Sequence, residues 1–143
     1  MNFDAVRPPR WLRWAAVAFV AGGIFYASVL ASPSSGLPSM GPLGVLRIDK
    51  WLHATAYAGL AVTLANAFAP RARTARVVIF AVLLSVGYGV GVEFAQAPLA
   101  ERSFSLADMA ANAVGAGLGV VAWRALVGVL RQSGVEPAVE AEL

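Results

Sequence analysis

The chain contains no cysteine and few charged residues. Of its 143 residues, 13% are charged and 59% are hydrophobic, and the mean hydropathy is +0.69. The absence of thiols excludes disulfides, thiolate metal ligands and a cysteine nucleophile. A soluble domain usually carries about 25% charged residues, so a chain this apolar has too little polar surface to remain in water. The composition predicts a membrane protein.

Two further absences narrow the function. The sequence has no G-x-S-x-G segment and no histidine-rich metal motif, since His53 is its one histidine. The net charge is +3, but the basic residues form short clusters at the ends of apolar runs and not a basic face interleaved with aromatic residues. We therefore expect no nucleic-acid partner.

Four apolar runs are long enough to cross a bilayer, which takes about 20 residues. They cover residues 14–31, 51–69, 77–95 and 109–127. The sequence predicts an all-α fold, a four-helix transmembrane bundle over residues 14–127. A basic N-terminal segment, residues 1–13, precedes this domain, and a polar tail, residues 128–143, follows it.

The basic residues predict the orientation of the bundle. Eight arginines fall on one side of it, namely Arg7, Arg10, Arg13, Arg71, Arg73, Arg76, Arg124 and Arg131. Arg47, Lys50 and Arg102 fall on the other side. Because arginine-rich flanks remain cytoplasmic, we expect both termini in the cytoplasm.

The arginine- and alanine-rich composition is typical of a bacterial source, which predicts a multi-pass protein of the bacterial cytoplasmic (inner) membrane.

The first apolar run has a second interpretation. A basic segment, an apolar stretch and small residues near residues 29–31 also describe a cleavable signal peptide. The apolar region of such a peptide usually has roughly 7–15 residues. The run in this chain is longer, which favours a permanent membrane helix.

Polar residues gather at the outer ends of three of the runs. They are Asp49, Lys50, His53 and Tyr57 in the second, Glu93 and Gln96 in the third, and Arg102, Ser105, Asp108 and Asn112 before and in the fourth. The spacing of Asp49, His53 and Tyr57 places them on one helix face. Lipid would leave such groups without hydrogen-bond partners. We therefore expect the polar faces to meet in one outward-opening pocket.

Small residues accompany these polar positions. Gly87, Gly89 and Gly91 precede Glu93, while Gly115 and Gly119 lie on the fourth run. Glycines with such spacing allow helices to approach closely in a membrane. They predict tight bundle packing around the pocket.

Each polar residue also has a purely structural interpretation. Ser105 and Asp108 fit a variant of the helix capping box, and Asp49 and Lys50 fit an interfacial cap and anchor. His53 could bond to Asp49, and Tyr57 could serve in packing. Glu93, Arg102 and His53 could form a polar latch that satisfies itself without any ligand.

Three motifs in order resemble the VanZ-like membrane proteins. They are Asp49-Lys50-x-x-His53-x-x-x-Tyr57-x-Gly59-Leu60, then Glu93-x-x-Gln96 with Arg102, and Asp108-x-x-x-Asn112-x-x-Gly115, over about residues 47–120. The resemblance implies a membrane location and a set of site residues. It also implies a link to low-level resistance against the glycopeptide teicoplanin, or to envelope homeostasis. It does not imply a reaction.

Two classes of function follow from these residues. In the first, Lys50, Arg102 and His53 bind an anionic lipid, a lipid-linked envelope precursor or a glycopeptide. In the second, His53 polarised by Asp49 acts with Glu93 and Asp108 in acid–base catalysis on a lipid-linked substrate. A base within about 3 Å of a nucleophile or a bound water would favour the enzyme.

Other partners follow from the same residues. The carboxylates could hold a divalent metal such as Mg²⁺ or Mn²⁺, although no metal set is evident. A transporter is disfavoured because carriers place their sites near the midplane of the membrane. A homo-oligomer is compatible with the sequence.

Overall fold

The computed structural model describes residues 8–31, 39–69, 74–99 and 105–133, apart from the side chain of residue 131. Within these ranges the chain forms α-helices and no strands. The helices are α1 (Arg10–Phe25), α2 (Ile48–Phe68), α3 (Thr74–Gln96) and α4 (Leu106–Gln132). A π-helical segment, Tyr26–Leu30, extends α1. The all-α prediction is confirmed.

All four helices begin three or four residues earlier than the hydropathy predicts, and the difference matters most for α2 and α4. α2 begins at Ile48 and not at residue 51, and α4 begins at Leu106 and not at residue 109. Polar residues are well suited to a first turn, where backbone N–H groups lack helical partners. Asp49, Lys50 and Asp108 consequently lie inside helices, and helical geometry fixes the direction of their side chains.

α2 is the central helix. α1 and α3 run antiparallel to it, and α4 runs parallel to it. α2 contacts α1, α3 and α4, and its buried residues include Tyr57, Leu60 and Leu64. At one end of the bundle, Lys50 near the start of α2 pairs with Asp108 near the start of α4. We call this the polar end.

Aromatic packing marks the opposite end of the bundle. Trp14 of α1 packs edge-on against Phe68 of α2, with ring centroids 5.4 Å apart. Phe68 in turn lies 6.1 Å from Phe80 of α3. Because Arg10, Arg13 and Arg76 belong to the same helix termini, we call this the basic end.

Glycines set the close approach of α4 to α2. A Cβ atom at Gly115 would lie 2.0 Å from the Ala54 carbonyl oxygen, and one at Gly119 would lie 2.5 Å from that of Ala58. Both distances are far inside van der Waals contact, so only glycine fits. The predicted packing role of Gly115 and Gly119 is confirmed.

On α3 the packing prediction holds for one glycine of three. A Cβ atom at Gly89 would lie 2.8 Å from Asn112 Nδ2. Gly87 and Gly91 are exposed, and a Cβ atom at either would meet nothing within 4 Å. The prediction is wrong for these two because a shift of two residues turns a helical position to the other side of the helix.

Three of the helical segments are long and apolar enough to cross a membrane. They are Arg10–Leu30, Thr74–Gln96 and Leu106–Leu130 among the residues that the structure describes. Large apolar side chains such as Phe19, Leu83 and Leu118 are exposed on them, which suits contact with lipid. α2 has 21 residues, which is long enough, but it is not apolar enough to count among these segments. Its composition reflects the polar residues that it brings into the bundle.

Candidate functional site

Lys50 joins α2 to α4 at the polar end. Its ammonium donates a hydrogen bond to Asp49 Oδ2 at 2.9 Å and another to Asp108 Oδ1. The Lys50 and Asp108 side chains are 20% and 16% exposed. Two carboxylates beside Lys50 favour the charged ammonium over the neutral amine. The ammonium is therefore charged and shared by two carboxylates.

Arg47 adds a second cation at the polar end. Its Nε donates to Asp49 Oδ1 at 3.3 Å, and its side chain is 73% exposed. The Asp49 carboxylate thus accepts hydrogen bonds from both Arg47 and Lys50. The sequence indicates Arg47 as an orientation signal only and not as a site residue. Its position just before the first turn of α2, two residues from Asp49, was the signal that could have included it.

His53 faces α4 and not Asp49. Its Nδ1 donates a hydrogen bond to the Asn112 amide oxygen at 2.9 Å, and its Nε2 lies 3.7 Å from Asp108 Oδ1. The proposed polarisation of His53 by Asp49 is not observed, since the Asp49 carboxylate binds Arg47 and Lys50. The i, i+4 spacing places both residues on one face but does not choose their partners.

Tyr57 lies one turn further into the bundle, beneath His53. The two rings are stacked, with centroids 6.4 Å apart and an interplanar angle of 9°. Tyr57 is buried, and its hydroxyl has no hydrogen-bond partner. Gly89 leaves room for this ring and for Asn112. The predicted face from Asp49 through His53 to Tyr57 is thus present, with Tyr57 at its inner limit.

Glu93 completes the cap of α4. Ser105 Oγ accepts a hydrogen bond from the Asp108 backbone N–H at 3.2 Å, as a capping residue does. In a capping box the residue at the Asp108 position would accept from the Ser105 N–H. Here Glu93 Oε2 of α3 accepts it at 3.0 Å. The Asp108 carboxylate is therefore available to Lys50.

The remaining predicted residues do not join this arrangement. Gln96 donates from Nε2 to the Ser28 carbonyl oxygen at 2.7 Å, which ties the end of α3 to the π-helical segment. Arg102 lies outside the described residues, so its predicted pairing with Glu93 lies outside them too.

We call Asp49, Lys50, His53, Asp108 and Asn112 the polar cluster. Glu93 and Ser105 support it through the start of α4.

Two arrangements that the enzyme hypothesis names can be checked among the described residues. Their His, Asp and Glu side chains do not form a group of three or more that could hold a metal ion. No described hydroxyl bonds to His53, because Ser105 Oγ serves the α4 cap and the Tyr57 hydroxyl is unpartnered. Neither a base–nucleophile pair nor a divalent-metal site is present among these residues.

A comparison with protein-family models identifies the chain. The model described as VanZ/LLP1 matches residues 11–128, which is most of the sequence. The chain belongs to the VanZ/LLP1 family. The resemblance read from the three motifs is confirmed, and the match also includes α1. No curated protein and no solved structure matched the chain. Together with its apolar helices, the family assignment indicates a membrane protein of VanZ type.

Proposed function

We propose that this VanZ/LLP1-family protein binds the anionic head group of a lipid or lipid-linked envelope precursor at the polar cluster. The observation that carries the proposal is the Lys50 ammonium, which two carboxylates hold at the surface of the polar end. The ammonium is partly exposed and stands beside the more exposed Arg47. Phosphate and carboxylate are the ligands that such cations recognise.

Ligand exchange at Lys50 explains why a satisfied ion pair can also be a binding site. Asp49 belongs to the same helix and keeps the ammonium oriented. Asp108 belongs to α4, so a phosphate oxygen can replace its carboxylate without disturbing α2. Arg47 then supplies a second cation to the same phosphate. In this arrangement the carboxylates position the cation and do not react.

The binding proposal fits His53 better than catalysis does. Both ring nitrogens are directed at α4, one at the Asn112 amide and one at Asp108. A general base needs a nucleophile or a water at hydrogen-bond distance. The described hydroxyl groups do not supply one. His53 instead orients Asn112 and Asp108 beside the head group.

We further propose that α2 is a fourth membrane span and that both termini are cytoplasmic. α2 contacts all three other helices, and a helix surrounded by protein tolerates polar residues that lipid would not. The described arginines Arg10, Arg13, Arg76 and Arg124 lie away from the polar end, which favours a cytoplasmic basic end. The polar cluster then faces the outer leaflet of a bacterial cytoplasmic membrane. A role in envelope homeostasis or glycopeptide resistance would follow from the lipid that it binds.

Native mass spectrometry of the purified full chain tests the binding proposal. The probe is a polyprenyl phosphate titrated in detergent, and the variants are Lys50→Met and a control, Arg124→Met, which removes an exposed cation away from the polar end. We expect Lys50→Met to weaken binding about tenfold, since a hydrogen bond to a charged group contributes about 1.5–3 kcal/mol. Arg124→Met should leave it unchanged.

Unchanged affinity in Lys50→Met would refute this role for the cation. The polar cluster would then be a latch that holds α2 against α4 without a ligand. The melting temperature separates the two cases. Lys50→Met should melt lower in both cases, because it leaves Asp108 without its partner. A latch predicts that wild type gains no stability from polyprenyl phosphate, whereas a binding site predicts a ligand-dependent rise in wild type.

A further inference from the structure

Arg13 lies on the face of α1 that packs against the bundle. On this face Trp14, Val17, Val20 and Ala21 pack against the core, and Ile24 is buried within it. Arg13 precedes Val17 by four residues, so it continues the same face towards the basic end. Ala15, Ala16, Ala18 and Phe19 are exposed on the opposite side. Arg13 therefore lies at the border between the packed face of α1 and its exposed side.

The Arg13 guanidinium has no counter-ion among the described residues. Its side chain is half-buried, and its Nε is buried without a hydrogen-bond partner. The described carboxylates, Asp49, Glu93 and Asp108, belong to the polar end. A guanidinium that is partly withdrawn from water gains from an anion that reaches its terminal nitrogens. Such an anion would have to come from outside the described residues.

The surroundings of Arg13 favour an amphiphilic anion. The adjacent Trp14 packs on Phe68, near the end of α2. Next to Arg13, Trp11 is 69% exposed and Leu12 is 45% exposed. The exposed cation Arg10 lies one turn away. A charged donor is thus bordered by apolar surface.

From this juxtaposition we infer that Arg13 binds the phosphate diester of an anionic phospholipid at the basic end. The terminal guanidinium nitrogens donate to the phosphate oxygens, and the acyl chains lie along the exposed apolar side of α1. This site is separate from the polar cluster. It does not depend on the head-group binding proposed there or on the orientation of the chain.

Lipid titration with matched arginine variants tests this site. Phosphatidylglycerol is titrated into the purified full chain in detergent, and bound lipid is counted by native mass spectrometry. Arg13→Gln should weaken the strongest phosphatidylglycerol binding about tenfold, because it removes charge-assisted hydrogen bonds of about 1.5–3 kcal/mol. Arg10→Gln removes the same charge one turn away from an exposed position and should have little effect.

Further measurements distinguish lipid phosphate from free phosphate, and a loss of binding from a loss of folding. Phosphatidylglycerol should raise the melting temperature of wild type, while inorganic phosphate should not; an Arg13-dependent rise with inorganic phosphate would assign the site to a free anion. Arg13→Lys keeps the charge but loses the paired donors, so it should bind with intermediate affinity even if Arg13→Gln folds poorly. Equal weakening in Arg10→Gln and Arg13→Gln, or in neither, would overturn the inference.

Discussion

At the scale of single residues, one hydrogen bond at the polar end has a different acceptor from the one that a local capping box would supply. Glu93 accepts the Ser105 N–H that Asp108 would accept in a local capping box, and Asp108 therefore pairs with Lys50. A cap supplied by another helix links the start of α4 to the end of α3. It also leaves a carboxylate of α4 free to hold α2. The ion pair and the cap consequently depend on each other.

Lys50 and Asp108 should be energetically coupled. In a double-mutant cycle, Lys50→Met and Asp108→Asn should each lower the stability of the protein in detergent, since each leaves a partly buried group without its partner. The double variant should be less destabilised than the sum, with a coupling energy of roughly 0.5–3 kcal/mol. Thermal or denaturant unfolding measures it.

A second cycle provides the control for this coupling. Lys50→Met combined with Arg76→Gln joins two residues at opposite ends of the bundle, and distant sites usually add independently. Additive effects in that cycle and non-additive effects with Asp108→Asn are expected. If both cycles are additive, the contact between Lys50 and Asp108 does not stabilise the protein.

At the scale of helices, the approach of α4 to α2 determines whether the polar cluster can form. Gly115 and Gly119 lie on Ala54 and Ala58, one and two turns from the residues that pair at the polar end. Backbone carbonyls stand where a Cβ atom would be, so neither rotamer changes nor side-chain motion can make room. Separating the two helices would also separate Lys50 from Asp108.

Gly115→Ala should therefore destabilise the bundle, and Gly117→Ala should not. Overpacking costs about 1–3 kcal/mol, and the added Cβ atom at Gly115 meets backbone at 2.0 Å. At Gly117 it meets nothing within 4 Å, so the higher helix propensity of alanine adds up to about 1 kcal/mol of stability. The melting temperatures of the two variants in detergent should move in opposite directions. Equal melting temperatures would show that α4 does not pack on α2 through this face.

At the scale of the whole molecule, charge is divided between the two ends of the bundle. The described carboxylates lie at the polar end with Arg47 and Lys50, whereas Arg10, Arg13 and Arg76 lie at the basic end. A charge difference of this kind directs insertion of membrane proteins. The two binding sites that we propose lie at different ends of the bundle, one at the polar cluster and one at Arg13.

Cysteine labelling tests whether α2 crosses the membrane and in which direction. The chain has no native cysteine, so single cysteines at Val45, Thr74 and Ser133 report alone. All three positions are exposed, and Val45 and Thr74 flank α2. In intact cells, or in spheroplasts if an outer membrane is present, an impermeant reagent should label Val45→Cys and spare the other two. Labelling of Thr74→Cys alone would invert the orientation, and labelling of both would exclude a span in α2.

The sequence by itself determined the class of the protein and the positions of its polar groups. Long apolar runs require helices in a membrane, and α1, α3 and α4 follow the predicted runs to within a few residues. The clustering of Asp49, Lys50, His53, Asp108 and Asn112 at one end also followed from sequence. Both results depend on local chemistry, in which hydropathy sets a helix and i, i+4 spacing sets its face.

Only the tertiary structure decided which polar groups meet. His53 bonds to Asn112 and not to Asp49, Gln96 reaches a carbonyl of the π-helical segment, and Arg13 keeps a buried nitrogen without a partner. Such choices depend on how far each helix is rotated and how closely two helices approach. In this protein the glycine contacts of α4 with α2 fix that approach. Helical spacing fixes only the face on which each side chain lies.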